Sequence, residues 1–216
     1  MWNQITIPSK DIRKQIIEDI TNFVLFPDYN VNFITYYWED RDKLFMITES
    51  CSPMILYIQK FGMIKKVVIK NWIIMILNSL KNLYAHGYTY HFLSLERLYY
   101  NPHSGHVKIG DLIMCSNAFC EFVKENDLCF FNSSFPSPEI INNNQHSIKA
   151  DIFALGMIVL EMITMEPPYL SDASKYINYY TNSIFYNEKE QMIKSHKLPS
   201  TINLIPNDEP LKNLII

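Results

Sequence analysis

Residues 88–112 read YTYHFLSLERLYYNPHSGHVKIGDL, and the rest of the chain arranges itself around them. Leu98–Tyr100 and Val107–Ile109 are short runs of apolar and aromatic residues. NPHSG between them is dense in turn formers, so the pair predicts a hairpin. Upstream, Val67–His86 predicts a long helix: Trp72, Ile73, Ile76, Leu77, Leu80, Leu83 and Tyr84 fall on one stripe, and Gly87 follows as a stop. Further upstream, Ile12, Ile16, Ile17, Ile20 and Phe23 recur at helical spacing over Asp11–Phe26, with Ser9 or Asp11 as the cap and Pro27 as the end. VNFITYYWED and KLFMITES, joined by charged residues, predict a second hairpin. SPMILYIQKF predicts a short helix. Downstream, Met114–Pro136 shows no period and is expected to be a long surface loop, of the kind that often carries function. Ser147–Thr164 predicts a helix apolar nearly all round, hence central. The tail carries Pro199, Pro206 and Pro210, then the beginning of a helix at Ile216.

Bulk properties bound the class. The chain has 216 residues, 48% of them hydrophobic and 19% charged, enough for one large domain or two small lobes with a real core. A net charge of −3 argues against a general polyanion binder. Cys51, Cys115, Cys120 and Cys129 form no CxxC pair and no zinc spacing, so reduced thiols in an intracellular protein are expected. The opening MWNQITIPSKDIRK turns polar at once, unlike a secretory signal. The longest apolar run, Ile152–Ile163, is broken by Glu161 and is shorter than the ~20 residues a bilayer span needs. Met157, Met162 and Met165 read as core packing, as do Trp38 and Trp72. The six histidines form no ligand pair at helical spacing.

The order helix, hairpin, connector, long helix, hairpin, long loop, SPE, buried helix resembles a eukaryotic protein kinase domain over residues 10–216. KNLYAHGYTYHFLSLERLYYN resembles the helix and catalytic loop, with H-R-D-L-x-x-x-N falling on Tyr90 to Arg97. VKIGDL resembles the strand leading into D-F-G, FPSPE the end of the activation loop, and SIKADIFALGMIVLEMIT the central helix. Asp151 and Gly156 meet that helix's D-x-x-x-x-G pattern. YYWED, FMITE, GHVKIGDL, PPY and IKSHKLPS resemble the with-no-lysine group and its inactive relatives of the nuclear receptor-binding-protein type. The resemblance implies an α+β, kinase-like fold with a mostly helical C-lobe. It divides the chain into a reduced N-lobe at 1–50, a regulatory helix plus two strands, and a C-lobe at 51–216, incomplete at its C-terminal end.

The residues that would do the chemistry are altered. Phosphoryl transfer depends on positioning and charge neutralisation. Gly62, Gly87, Gly105, Gly110 and Gly156 do not cluster, so no Gly-rich loop is present. About ten residues precede the first helix, too few for the strands that carry that loop and the family's Lys. The Glu position of the helix falls on Asp19, or on Glu18 with a one-residue shift. The catalytic Asp position falls on Phe92, or on Leu93 if His91 takes the His position; neither can accept a proton. Ser94 replaces the usual Lys. Arg97 replaces the metal-binding Asn, placing a cation where a second cation would sit. Asp111 fits the D of D-F-G and is the one candidate metal ligand, but Leu112-Ile113 replaces the pair that lets this segment swing. Thr48 and Glu49 fit the back of the nucleotide pocket and the start of the connector. Glu139 keeps its place, while the later Arg that pairs with it in the family lies beyond Ile216. Serines in FFNSSFPSPE sit where activating phosphorylation occurs, with few basic residues nearby to receive a phosphate.

Three readings stay open at this stage. The first is a pseudokinase acting as a protein-binding or regulatory scaffold. It would be cytoplasmic, with no intact catalytic residue and no cofactor, and with a protein partner such as another kinase in place of nucleic acid or membrane. The second is a divergent serine/threonine kinase using Mg-ATP at Asp111, Thr48 and Glu49. The third is a non-functional kinase fragment.

Overall fold

The computed structural model describes residues 9–24, 34–40, 43–125, 135–143, 146–169, 190–205 and 212. Helix α1 spans Lys10–Val24. Of its two candidate caps the structure uses Ser9, whose Oγ accepts from the Ile12 amide at 3.4 Å. Ile16 and Ile20 of α1 are fully buried. Strands β1 (Ile34–Asp40) and β2 (Lys43–Thr48) pair antiparallel as the expected hairpin. The side chain of Trp38 and the end of the helix at Pro27 lie outside the described residues, as do Cys129 and the FFNSS serines.

A second sheet follows. Strand β3 (Ser52–Pro53) pairs with β4 (Leu98–Tyr100), which pairs with β5 (Val107–Ile109), all antiparallel. Asn101 builds the β4–β5 turn: its Oδ1 accepts from the amides of His103 and Ser104 at 2.9 and 3.2 Å. Between β3 and β4 lie α2 (Met54–Phe61) and α3 (Lys66–Ala85). Helix α3 ends in a Schellman motif, in which Gly87 at φ 82° lets its amide reach Tyr84 O and the Tyr88 amide reach Leu83 O. Its buried stripe contains Trp72, Ile73, Ile76, Leu80 and Leu83 as expected, but Leu77 faces outward, and Ile69 and Ser79 take part instead. Tyr57 of α2, Trp72 of α3 and Tyr100 of β4 meet as an aromatic knot, with Tyr57–Tyr100 ring centroids 4.6 Å apart.

The structure corrects the first part of the expected loop at Met114–Pro136, up to Glu125; residues 126–134 lie outside the described residues. A 3₁₀ turn over Leu112–Cys115 leads into helix α4 (Asn117–Glu125), and both pack against α1. Leu112, Met114, Cys115, Phe119, Cys120, Phe122 and Val123 are all buried. Ser116 caps α4 by accepting from the Phe119 amide. Helix α5 covers Pro138–Asn143, and α6 covers Ile148–Thr164. Helix α6 is central, with Met157–Met162 buried in sequence; Ile148 and Ile152 at its start face out. A smaller cluster of Phe135, Met157, Tyr169 and Ile193 lies on its far side. Cys51, Cys115 and Cys120 are free thiols. Among the described residues no helix is long and apolar enough to cross a membrane.

Candidate functional site

The segment Tyr90–Arg97 is anchored from below by α6. The Asp151 carboxylate accepts from the Tyr90 amide at 2.9 Å and from the Tyr84 hydroxyl at 3.1 Å. Burial is the main influence on Asp151 and pushes its carboxyl up to about 7, against the pull of those two hydrogen bonds. Tyr90 is fully buried, and its hydroxyl donates to Gly110 O at 2.8 Å. One residue thus ties Asp151 on α6, through its amide, to the residue before Asp111, through its hydroxyl. Phe92 and Leu93, the two candidates for the base position, are 2% and 1% exposed, and both side chains belong to the core.

Arg97 closes this segment onto itself. It is buried, and its Nη1 donates to Phe92 O at 2.9 Å and Ser94 Oγ at 3.0 Å. The guanidinium therefore binds the backbone of Phe92, one of the two residues expected at the base position. Its charge also reaches Asp111. Burial pushes the Asp111 carboxyl upward, and the Arg97 charge followed by the Tyr99 hydroxyl oppose that push. Asp111 sits in the left-handed region at φ 48° and keeps an exposed edge. Among the described residues no group of three or more His, Cys, Asp and Glu side chains gathers as metal ligands. A divalent ion needs several anionic or neutral oxygens; Asp111 faces a hydroxyl donor and a guanidinium charge instead. Around Asp111, the described residues do not supply the set of oxygens that a magnesium ion takes.

Glu49 and Thr48 behave differently from each other. Thr48 is exposed at the end of β2. The Glu49 carboxylate forms a 2.7 Å ion pair with Lys108 of β5 and accepts from Asn101 Nδ2 at 3.0 Å. Burial pushes Glu49 up, but Lys108, Asn101 and Cys51 together outweigh it, so its pKa is lowered. Lys108 itself is buried. Sequence reading missed this clasp, because nothing in a β-strand lysine marks it as buried. Of the two candidates on α1, Asp19 is half-buried and Glu18 exposed, and the Asp19 charge is felt at Cys115. A contact between histidines was missed as well: the rings of His91 and His146 lie 4.3 Å apart, and His91 Nε2 is 3.0 Å from Asn117 Oδ1. They are 55 positions apart in sequence, so helical spacing could not reveal them.

An α+β fold in which a central helix carboxylate holds a loop ending in a short hairpin, with an Asp just past it, defines a kinase-like protein. The family model for the protein kinase domain matches residues 6–215, and the chain belongs to that family. Among curated proteins it is similar to the mitogen-activated protein kinase kinase kinase YODA of Arabidopsis thaliana, 29% identical over 74% of this chain and 18% of that protein. It is also similar to the serine/threonine-protein kinase PLK2 of Mus musculus, 22% identical over 94% of this chain and 30% of that protein. A third relative is the serine/threonine-protein kinase ATG1a of Arabidopsis thaliana, 26% identical over 82% of this chain and 28% of that protein. The chain thus spans less than a third of the length of each of these relatives.

Proposed function

We propose that this kinase domain is a pseudokinase of the with-no-lysine or nuclear receptor-binding-protein type, a protein-binding or regulatory scaffold that has lost phosphotransfer. One observation carries the reading: the buried Arg97 guanidinium donates to the carbonyl of Phe92, so the two positions that need an oxygen ligand and a base hold a cation and a core aromatic bonded to each other. Each 1.36 kcal/mol of lost transition-state stabilisation costs about tenfold in rate, and here several contributors are replaced together. Residues 1–50 form the reduced N-lobe and 51–216 the C-lobe. The partner is a protein, such as another kinase, and the setting is cytoplasmic. Neither nucleic acid nor membrane insertion belongs to this reading.

A divergent serine/threonine kinase is the alternative, favoured by the retained Asp111 and by relatives whose names are those of serine/threonine kinases. Incubation of the purified chain with γ-labelled ATP, magnesium and generic protein acceptors separates the two. The expected result is no label transfer above a protein-free control. Sustained transfer, more than one phosphate per chain, would establish the enzyme and end the pseudokinase reading.

A further inference from the structure

The β4–β5 hairpin presents one polar face. Alternation along β4 puts Arg97, Tyr99 and Asn101 on one side, and Leu98 and Tyr100 on the other. Tyr99 stands opposite Lys108 in the register, and alternation along β5 adds Gly110 to the same side. The opposite face enters the core through Leu98, Val107 and Ile109, all fully buried. At one end of the polar face Asn101, together with Lys108, holds Glu49 of the connector; at the other stands Asp111. Tyr99 lies between them.

Two contacts fix the Tyr99 ring. A Cβ placed on Gly110 would overlap ring carbons Cδ2 and Cε2 and would sit 3.2 Å from Cζ, so the ring lies directly on the glycine. The Tyr99 hydroxyl donates to Asp111 Oδ1 across 3.4 Å. Gly110 is the one residue of this face without a side chain, and the phenol fills the room that it leaves. We propose that Tyr99 covers the polar face over Gly110 and is the residue that keeps adenine nucleotides off it. A planar base bridging the connector and Asp111 would need the area over Gly110 that the phenol covers. A metal on Asp111 would compete with the phenol hydroxyl and meet the Arg97 charge. The proposal deepens the pseudokinase reading and rests on it, adding why this face takes no nucleotide.

The test titrates fluorescent mant-ADP and mant-ATP, with EDTA and with magnesium, into the full chain and its Tyr99→Leu variant, with phosphotransfer measured on the same samples. Leucine keeps an apolar β-strand residue but removes the distal ring and hydroxyl. The expected result is no saturable binding by the parent chain at about millimolar nucleotide, and at least about tenfold tighter binding by Tyr99→Leu. Equal affinity of parent and variant would overturn the proposal. Nucleotide binding by the parent without transfer would sink Tyr99 exclusion and leave the pseudokinase reading standing; transfer by the parent would sink both. A second measurement does not depend on nucleotide. Gly110→Ala should lower the melting temperature of the parent clearly and that of the Tyr99→Leu background little, a non-additive pair because the ring is what the new methyl strikes. Equal losses in both backgrounds would show that the ring does not lie on Gly110.

Discussion

At the scale of single residues, Arg97 was legible as a replacement but not as a structural bond. Its place at the family's metal-binding Asn position is what the resemblance of Tyr90–Arg97 to H-R-D-L-x-x-x-N implies. That its guanidinium turns inward to Phe92 O and Ser94 Oγ depends on the fold of residues 90–97, which the linear pattern does not encode. The consequence is a prediction about repair. Arg97→Asn, which restores the family's letter, is expected to cost about 1–3 kcal/mol, because buried acceptors lose a charged donor. Arg97→Lys should recover part of that loss, since both bonds leave the single nitrogen Nη1 and an ammonium also offers several donors on one nitrogen. Urea denaturation of the three proteins checks this. An Asn variant as stable as the parent would mean that the observed bonds carry no weight. The anchor beneath follows the same logic: Asp151 was readable from D-x-x-x-x-G, whereas its hydrogen bond from Tyr84 came only from the packing of α3 against α6.

Elements were read well where they are long. The stripes of α1, α3 and α6 and the two hairpins fall within a few residues of where periodicity puts them, since each covers several turns or a full strand pair. The miss at 112–125 has a physical cause. Phe119, Cys120, Phe122 and Val123 do have helical spacing, but α4 is only 9 residues long. A short isolated helix is marginal without tertiary burial, and here α1 provides it through Ile16 and Ile20. The 3₁₀ turn before Ser116 also breaks the period. If burial under α1 holds this element, Phe119→Ala should cost about 3–5 kcal/mol. Ser116→Ala, which loses the cap, should cost about 1 kcal/mol, and Glu121→Ala on the exposed side under about 0.5 kcal/mol. Chemical denaturation of the three variants ranks them. A Phe119→Ala cost below that of Ser116→Ala would return the segment to a surface loop.

For the whole molecule, carboxylates shifted in opposite directions shape stability against pH. Asp151 is raised from 3.8 to about 7. Below 3.8 it is protonated whether the chain is folded or not. Between 3.8 and about 7 the folded chain holds a proton that the unfolded chain has released, so stability falls as pH rises, then levels off above 7. The full drop is on the order of 4 kcal/mol. Asp111, also raised, acts in the same direction. Glu49 is lowered from 4.5, so its contribution is complete above that value and disappears as pH falls through the folded pKa. These groups together move the stability maximum toward the acid side of neutrality. Melting temperatures taken from pH 4 to 9 should fall between about pH 5 and 7 and then flatten. Asp151→Asn keeps an oxygen for the Tyr90 amide and the Tyr84 hydroxyl and should remove most of that fall; Glu49→Gln should blunt the acid limb alone. A parent chain most stable above pH 7, or an Asn variant with the parent's slope, would mean that Asp151 is ionised in the fold at little cost. The anchor holding the catalytic-loop remnant to α6 would then be a charged bond, strongest where this account makes it weakest.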